Sequence, residues 1–494
     1  MQNKKINKFF LEKIFLIGSF LYLVSAINNP FLNINFSSIS SSITTFRGIA
    51  PYIMMPILIV YLLFINRNLK LEWIYFLFLI YLFGQFAGYL INPLGYTYHL
   101  NDQNQIYWLI CNFTVILYFY TIRDNKDLNI LILKLFIFIV SILAIKFLID
   151  VYIEFFEDFL KTNTITNFFY NIHSMSPNRL FLEQPVPRSS GLSRMVIIIF
   201  LFFYIQFFFA KNNKYKTILY LILLGFLTFS ILNLQNRITV FYMVLLTLFT
   251  LFFKISNVTF KSKIVFVLSI FILPFFIHLN LEKISFATVN IYKFATENQN
   301  IVNKNIKTDK GHKLKNIDKV DKVDKIDKID KIDKVDKIDK VDKIDRINKN
   351  EKSEILKNLK TQRIFLKSST GRKELWSEAI SHVVENDLKG YGPQADRALL
   401  NQNISSLYFY SILCGGIISL IAIILISTIL FFKSMKMIFI KNIFTSTQKF
   451  TCFSLLIIGY FYLRTIVEIS FGVFGIDMIM FFITFNIFRN SENY

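Results

Sequence analysis

The chain has 494 residues, of which 54% are hydrophobic, 17% aromatic and only 18% charged, with a formal net charge of +22. Mean hydropathy is +0.47, and the apolar residues lie in long uninterrupted runs, so a water-soluble globular enzyme is excluded. A nucleic-acid-binding protein is excluded too, because a basic balance in a membrane protein reflects Lys and Arg on cytoplasmic loops.

A transmembrane helix needs about 20 mostly apolar residues, and about twelve runs meet that requirement. They lie near 9–28, 49–66, 73–92, 106–122, 128–150, 194–210, 216–234, 238–256, 263–281, 407–432, 450–467 and 470–488. The expected fold is therefore an all-α polytopic membrane protein. The first run follows Lys4, Lys5 and Lys8, and Val24-Ser25-Ala26 resembles a cleavage site. Glu12 and Lys13 interrupt that run, which favours a retained first helix over a cleaved signal peptide.

Basic residues in short loops orient the bundle. With the N-terminus inside, the inside loops carry Arg67 and Lys70, Arg123 and Lys126, Lys211, Lys214 and Lys216, and Lys254, Lys261 and Lys263. Lys433, Lys436, Lys441, Lys449 and Arg489 continue the series. Both termini are expected in the cytoplasm. The organisation that follows has nine spans in 1–281, with an outside loop at 151–193. A large outside loop at 282–406 lies between the ninth and tenth spans, and three spans with a cytoplasmic tail occupy 407–494. Cys111, Cys414 and Cys452 are far apart and show no metal-ligand or disulfide spacing, and they read as buried small apolar residues.

Within the large loop, residues 317–349 are a triplet repeat, (Ile/Val)-Asp-Lys, holding 11 Lys/Arg and 10 Asp. Period three matches neither a strand nor an α-helix, so the apolar positions form no fixed face. The tract reads as a solvated linker; ligation of a divalent cation is the weaker alternative, since such carboxylates do not converge.

Several arginines beside Gly and Ser fall on the outside face. The first element is Pro187-Arg188-Ser189-Ser190-Gly191-Leu192-Ser193-Arg194, at the mouth of the sixth span. Two guanidiniums flanking a small-residue turn at a helix start suit a phosphate or diphosphate; anchoring on lipid headgroups is the alternative. Asn236-Arg237 opens the eighth span, where an outside Arg runs against the positive-inside trend or snorkels to the interface. After the repeat comes Ser369-Thr370-Gly371-Arg372-Lys373-Glu374-Leu375-Trp376, which predicts a helix near 371–386 with Leu375, Trp376, Ala379 and Ile380 on one face. Such a helix would hold Arg372 over the outside mouth, the geometry of an active-site lid and equally of any docked loop helix. Gly390-Tyr391-Gly392-Pro393-Gln394-Ala395-Asp396-Arg397, Asn403-Ile404-Ser405-Ser406 and Gly415-Gly416-Ile417 follow.

In this order and topological placement, the RSSGLSR, NR, TGRxxLW and GYGPxxDR elements with a GG-containing helix resemble the O-antigen polymerase and O-antigen ligase superfamily. The likeness is greatest to its oligosaccharide repeat-unit polymerases, and in motif it covers about 185–240 and 365–420. The resemblance implies a metal-independent membrane glycosyltransferase, without cofactor, that uses a polyprenyl-diphosphate-linked oligosaccharide as donor in the bacterial inner membrane. It makes O-antigen, capsule or exopolysaccharide the class of product. Arg188, Arg237 and Arg372 would hold the donor diphosphate and offset leaving-group charge, and Arg194, Arg397, Asn403 and Ser405 would bind substrate. A chain-length regulator is a further candidate partner besides membrane lipids, and no nucleic acid is expected.

One position departs from the ligase pattern. Where ligases carry a proposed catalytic His, eleven residues before the Gly of the tenth span, this chain has Ser405, and a serine hydroxyl is no base near neutral pH. The polymerase branch gains from that. His382 is a candidate general base or a plain surface histidine, and Glu374 and Glu378 stand beside it. A ligase acting on a lipid or protein acceptor is the runner-up, and a lipid-linked oligosaccharide flippase is the alternative from another class. The flippase class usually has two similar halves, which are not seen here.

Overall fold

The computed structural model describes residues 2–25, 37–64, 70, 72–94, 102–162, 180–181, 184–185, 189–209, 214–234, 236–253, 259–280, 370–400, 403–439, 444 and 448–492. The repeat 317–349 and Arg188 lie outside them. The chain divides into two compact units, one formed by residues 1–284 with 376–494 and the other by Ser285–Leu375. The expected loop 282–406 is thus divided: from Trp376 onward it belongs to the helical bundle.

The first unit begins with α1 (Gln2–Ser25), α2 (Ser37–Phe64), α3 (Trp73–Ile91), α4 (Asp102–Ile122) and α5 (Lys126–Thr162). A two-residue antiparallel pairing, Leu180–Phe181 with Gln184–Pro185, precedes α6 (Ser189–Phe208). Then come α7 (Lys214–Leu234), α8 (Arg237–Phe252) and α9 (Phe260–Leu279). The helix α10 (Thr370–Glu385) crosses the boundary between the units, and α11 (Ala395–Leu399), α12 (Leu407–Phe439), α13 (Lys449–Val467) and α14 (Ile476–Glu492) complete the chain. Eight helices among the described residues are long and apolar enough to cross a membrane, and Gly48–Phe64 and Arg237–Phe252 are shorter apolar helices. The chain is a multi-pass helical membrane protein.

Side-chain exposure sorts the bundle. No described side chain of α6 or α14 is exposed, whereas α7 presents Ile218, Leu219, Ile222 and Phe226 outward. An apolar row facing outward is the face a lipid tail covers, and the fully covered helices form the centre. Polar side chains tie the centre together. The Tyr75 hydroxyl donates to Asn486 Oδ1 at 2.6 Å, and Asn486 Nδ2 donates to the Phe119 carbonyl at 3.0 Å. These bonds join α3, α4 and α14. Cys111, Cys414 and Cys452 are free and buried.

At the C-terminal end of α14, Arg489 pairs with Glu72 and, at 2.7 Å, with Asp124. Arg123, 1% exposed, lies 3.7 Å from Glu72. Two arginines that the loop charges assigned to orientation are therefore also held by carboxylates from other elements.

Four helices differ from the spans read in the sequence. The fifth helix continues to Thr162, so the first twelve residues of the expected 151–193 loop are helical. The ninth contains a π turn, Leu268–Ile272, ahead of Pro274; proline cannot donate to the carbonyl one turn back, and a wider turn absorbs the mismatch. The last helix starts at Ile476, because Ser470–Gly472 is a 3-10 turn with Ser470 at φ 47° and the Gly472 carbonyl accepting from Tyr81.

The fourth difference is in α12. Its 33 residues would extend about 50 Å at 1.5 Å per residue, against a hydrocarbon core of about 30 Å. Gly416 breaks the helix at φ 64°, ψ −161°, and the exposed apolar residues begin at Ile417. The segment Ile417–Phe439 alone extends about 35 Å, which suffices to span.

The groups freed at the break are taken up by the Leu388–Gly392 loop. Tyr391 N donates to Leu413 O at 3.0 Å, Gly392 N to Cys414 O at 2.8 Å, and Ile417 N to Leu388 O at 3.1 Å. Only glycine permits the approach: a Cβ at Gly390 would collide with the Cys414 carbonyl, and one at Gly416 would lie 2.6 Å from the Leu388 carbonyl.

Candidate functional site

The site is built around the turn that joins α13 to α14. Arg464 stands in the last turn of α13 and is 2% exposed. Its Nη1 donates to Asp477 Oδ2 at 2.6 Å, and Asp477, in the first turn of α14, is likewise 2% exposed. Glu468 Oε2 accepts from Arg464 Nε at 2.9 Å and also from its Nη2. A cation buried this deeply is tolerable only when paired and hydrogen-bonded on every edge, and these two carboxylates supply that.

Arg194 joins the same carboxylate. Its Nη1 lies 3.1 Å from Asp477 Oδ2, with the side chain 33% exposed. It is placed there by α6, which begins at Ser189 and runs with Leu192, Ser193 and Met195 buried. Asp477 Oδ1 is buried without a hydrogen-bond partner among the described residues. Asp477 thus acts as a pivot: one oxygen accepts from two guanidiniums on different helices.

The start of α8 reaches the same place. Asn236 caps that helix, its side chain accepting from Thr239 N at 3.1 Å. Such a cap satisfies an otherwise orphaned amide. The Thr239 hydroxyl lies 3.2 Å from the Tyr460 hydroxyl. The Tyr460 ring lies 5.9 Å from the Arg464 guanidinium. Arg237, the first residue of α8, is exposed.

The docked loop supplies the remaining wall. Gln105 Nε2 donates to the carbonyls of Tyr391 (3.1 Å) and Pro393 (3.2 Å), and Asn92 Nδ2 donates to Gly390 O at 3.0 Å. Gln394 adopts φ 62° and its amide donates to the Tyr410 hydroxyl. Asp396 is fully buried and its Oδ2 accepts from Ile404 N at 3.0 Å. Burial pushes its carboxyl up to about 6, against the opposing pull of the Ile404 amide and Arg397. That bond folds the chain back so that Arg397 Nε donates to Asn403 Oδ1 at 2.9 Å, with the guanidinium 5.9 Å from the Trp108 ring. Trp108 in turn meets Phe474, in the α13–α14 turn. Ser406 Oγ donates to Thr465 O at 3.4 Å, next to Arg464.

Five residues singled out in the sequence therefore lie at one end of the bundle: Arg194, Arg237, Arg397, Asn403 and, beside Ser406, Ser405, whose hydroxyl is buried without a partner among the described residues. Arg372 is exposed in the first turn of α10 and belongs to the other unit. His382 is half-buried on α10, its carbonyl accepting from the Tyr391 hydroxyl at 3.0 Å. The inward face of α10 within the bundle unit holds Ala379 and Val383, both buried, and the half-buried Trp376, stacked on Phe409 at 4.7 Å. Ile380, expected on that face, is exposed. Among the described residues no group of His, Cys, Asp or Glu could hold a metal ion.

Arg464, Glu468 and Asp477 are absent from the sequence-level candidates, because 450–467 reads as a plain apolar span. Two signals were available. An arginine inside such a run is costly unless it is put to use, and Arg464 and Glu468 sit at i and i+4, facing one another on the helix.

Fold and site together define a multi-pass helical membrane protein with a buried, ion-paired arginine at one end of the bundle. Comparison with protein-family models, curated proteins and solved structures finds no match to this chain.

Proposed function

We propose that the chain is a membrane glycosyltransferase of the O-antigen polymerase class, which extends polyprenyl-diphosphate-linked oligosaccharide repeat units on the periplasmic face of a bacterial inner membrane. In this reading twelve helices span the membrane, α1 through α9 and then α12, α13 and α14, with α10 and α11 in the loop, and both termini are cytoplasmic. The site end of the bundle then faces the periplasm, since α14 runs from Asp477 at that end to Arg489 at the cytoplasmic end.

The observation that carries the reading is Arg194 held on the buried Arg464–Asp477 pair, with Arg237 and Arg397 at the same end of the bundle. Guanidiniums set beside a buried ion pair stabilise a departing diphosphate without any metal ion. Arg188, Arg237 and Arg372 would contact the leaving diphosphate, and Arg194, Arg397, Asn403 and Ser405 the substrate. His382 is the proposed general base. The α10 helix would serve as a lid.

The test is polymer length in proteoliposomes supplied with a lipid-linked repeat unit. Arg188→Ala and Arg372→Ala are expected to abolish chain extension while the protein stays folded. Normal polymer from Arg372→Ala would overturn the site assignment. Transfer of preformed glycan to a lipid acceptor without extension would favour a ligase, and translocation without any transfer would favour a flippase.

A further inference from the structure

The buried network is electrically balanced as it stands: Arg194 and Arg464 against Asp477 and Glu468. Its two carboxylates are not equivalent. Asp477 is 2% exposed and bonded to both guanidiniums, whereas Glu468 is 21% exposed and, among the described residues, bonded to Arg464 alone. Glu468 is the residue after the last turn of α13, in extended conformation (φ −147°, ψ 159°), so its side chain is anchored at a helix end and not within the packed bundle. Of the groups on Arg464, only Glu468 can leave toward water without unpacking a helix.

We propose that Glu468 is a displaceable counter-carboxylate, holding the outer edge of the Arg464 guanidinium until the diphosphate ester of the substrate bound at Arg194, distinct from the leaving diphosphate at Arg188, Arg237 and Arg372, takes its place. Asp477 remains as the fixed pivot. The two guanidiniums donate to one oxygen at 3.1 and 2.6 Å, so those nitrogens lie within about 6 Å of each other, a spacing that lets adjacent phosphoryl groups be held by neighbouring arginine forks. Glu468 presents one oxygen to both Nε and Nη2 of Arg464, the edge that a phosphate oxygen pair would occupy. The exchange keeps Arg464 paired at every stage, which a buried cation requires. Without a ligand, Glu468 excludes adventitious anions from the site, so selectivity falls to a ligand with enough negative charge to compete. The ligand class rests on the function proposed above; the displacement itself does not.

The test uses the full-length chain in detergent micelles, with inorganic pyrophosphate as the probe and calorimetric titration as the readout. Glu468→Gln keeps the shape and removes the competing charge. Because a hydrogen bond to a charged group shifts an equilibrium by about tenfold or more, pyrophosphate affinity is expected to rise about tenfold. Glu468→Asp is one methylene shorter and gives a smaller gain in the same direction; it carries the test if the Gln variant does not fold. Glu72→Gln, which removes a carboxylate from Arg489 at the opposite end of the bundle, is expected to change nothing. Unchanged or weaker binding in the Glu468 variants would overturn the proposal, as would an equal gain from Glu72→Gln. Tighter pyrophosphate binding in a protein that makes no polymer would leave the displacement standing and remove the polymerase reading. Polymer formation with pyrophosphate affinity indifferent to Glu468 would do the reverse.

Discussion

Arg464 and Asp477 meet at 2.6 Å with each side chain 2% exposed, and Asp477 uses the same oxygen to hold Arg194 from α6. One carboxylate therefore sets the relative position of three helices, α6, α13 and α14, at the end of the bundle where the candidate site lies. Removing one partner of such a pair leaves an uncompensated buried charge, which costs far more than the pair contributes over an apolar substitute.

Asp477→Ala is therefore expected to destabilise the protein by about 3–5 kcal/mol, the range for breaking a buried pair. Thermal unfolding of the purified protein in detergent measures it. Glu468→Ala should cost clearly less, because its partly exposed carboxylate leaves Arg464 still paired with Asp477. Equal costs would mean that the two carboxylates share the load evenly.

The docking of the Leu388–Gly392 loop onto the broken α12 depends on glycine. Gly416→Ala forces a Cβ into a backbone conformation (φ 64°, ψ −161°) that is essentially reserved for glycine, at about 1–3 kcal/mol, and against the Leu388 carbonyl. Gly390→Ala meets the Cys414 carbonyl directly. Both variants are expected to release the loop, read as faster tryptic cleavage after Lys389 at a temperature where the bundle stays folded.

The docking of the loop that carries Asp396 is expected to depend on pH, because burial of its carboxyl favours the neutral form. The carboxyl lies at about 6 in the docked loop against 3.8 when free, so the docked state binds the proton more tightly. The resulting stabilisation is full below the free value and is lost as pH rises through about 6. Amide exchange at Ile404, corrected for intrinsic rates, should show about tenfold less protection at pH 8 than at pH 5. Asp396→Asn should flatten that dependence, since no proton is then bound or released.

Excising 317–349 changes the net charge only from +22 to +21. In the proteoliposome assay the shortened protein is expected to keep its chain extension largely intact. Complete loss would show that the tract is more than a spacer.

The sequence by itself determined that this is a multi-pass helical membrane protein and where most of its apolar helices lie. Hydrophobicity adds along a local run and needs no partner, so a span such as Trp73–Ile91 is visible in isolation. The sequence also marked Arg194 and Arg237, because a guanidinium beside Ser or Asn at a helix start stands out from its neighbours, while Arg397 and Asn403 were marked by the family resemblance. The break at Gly416 was legible only as a GG pair; that its freed carbonyls receive the Tyr391 and Gly392 amides depends on a loop from elsewhere in the chain. Arg464 shows the limit most clearly. Within its own run it is one charge in an apolar helix, and its meaning comes from Asp477 and Arg194, residues on two other helices. Ion pairing depends on how separate helices are placed, and only the tertiary structure decided that. Of the +22 read at the outset, Arg194 and Arg464 are neutralised inside the protein, and Arg123 and Arg489 are bound at the opposite end.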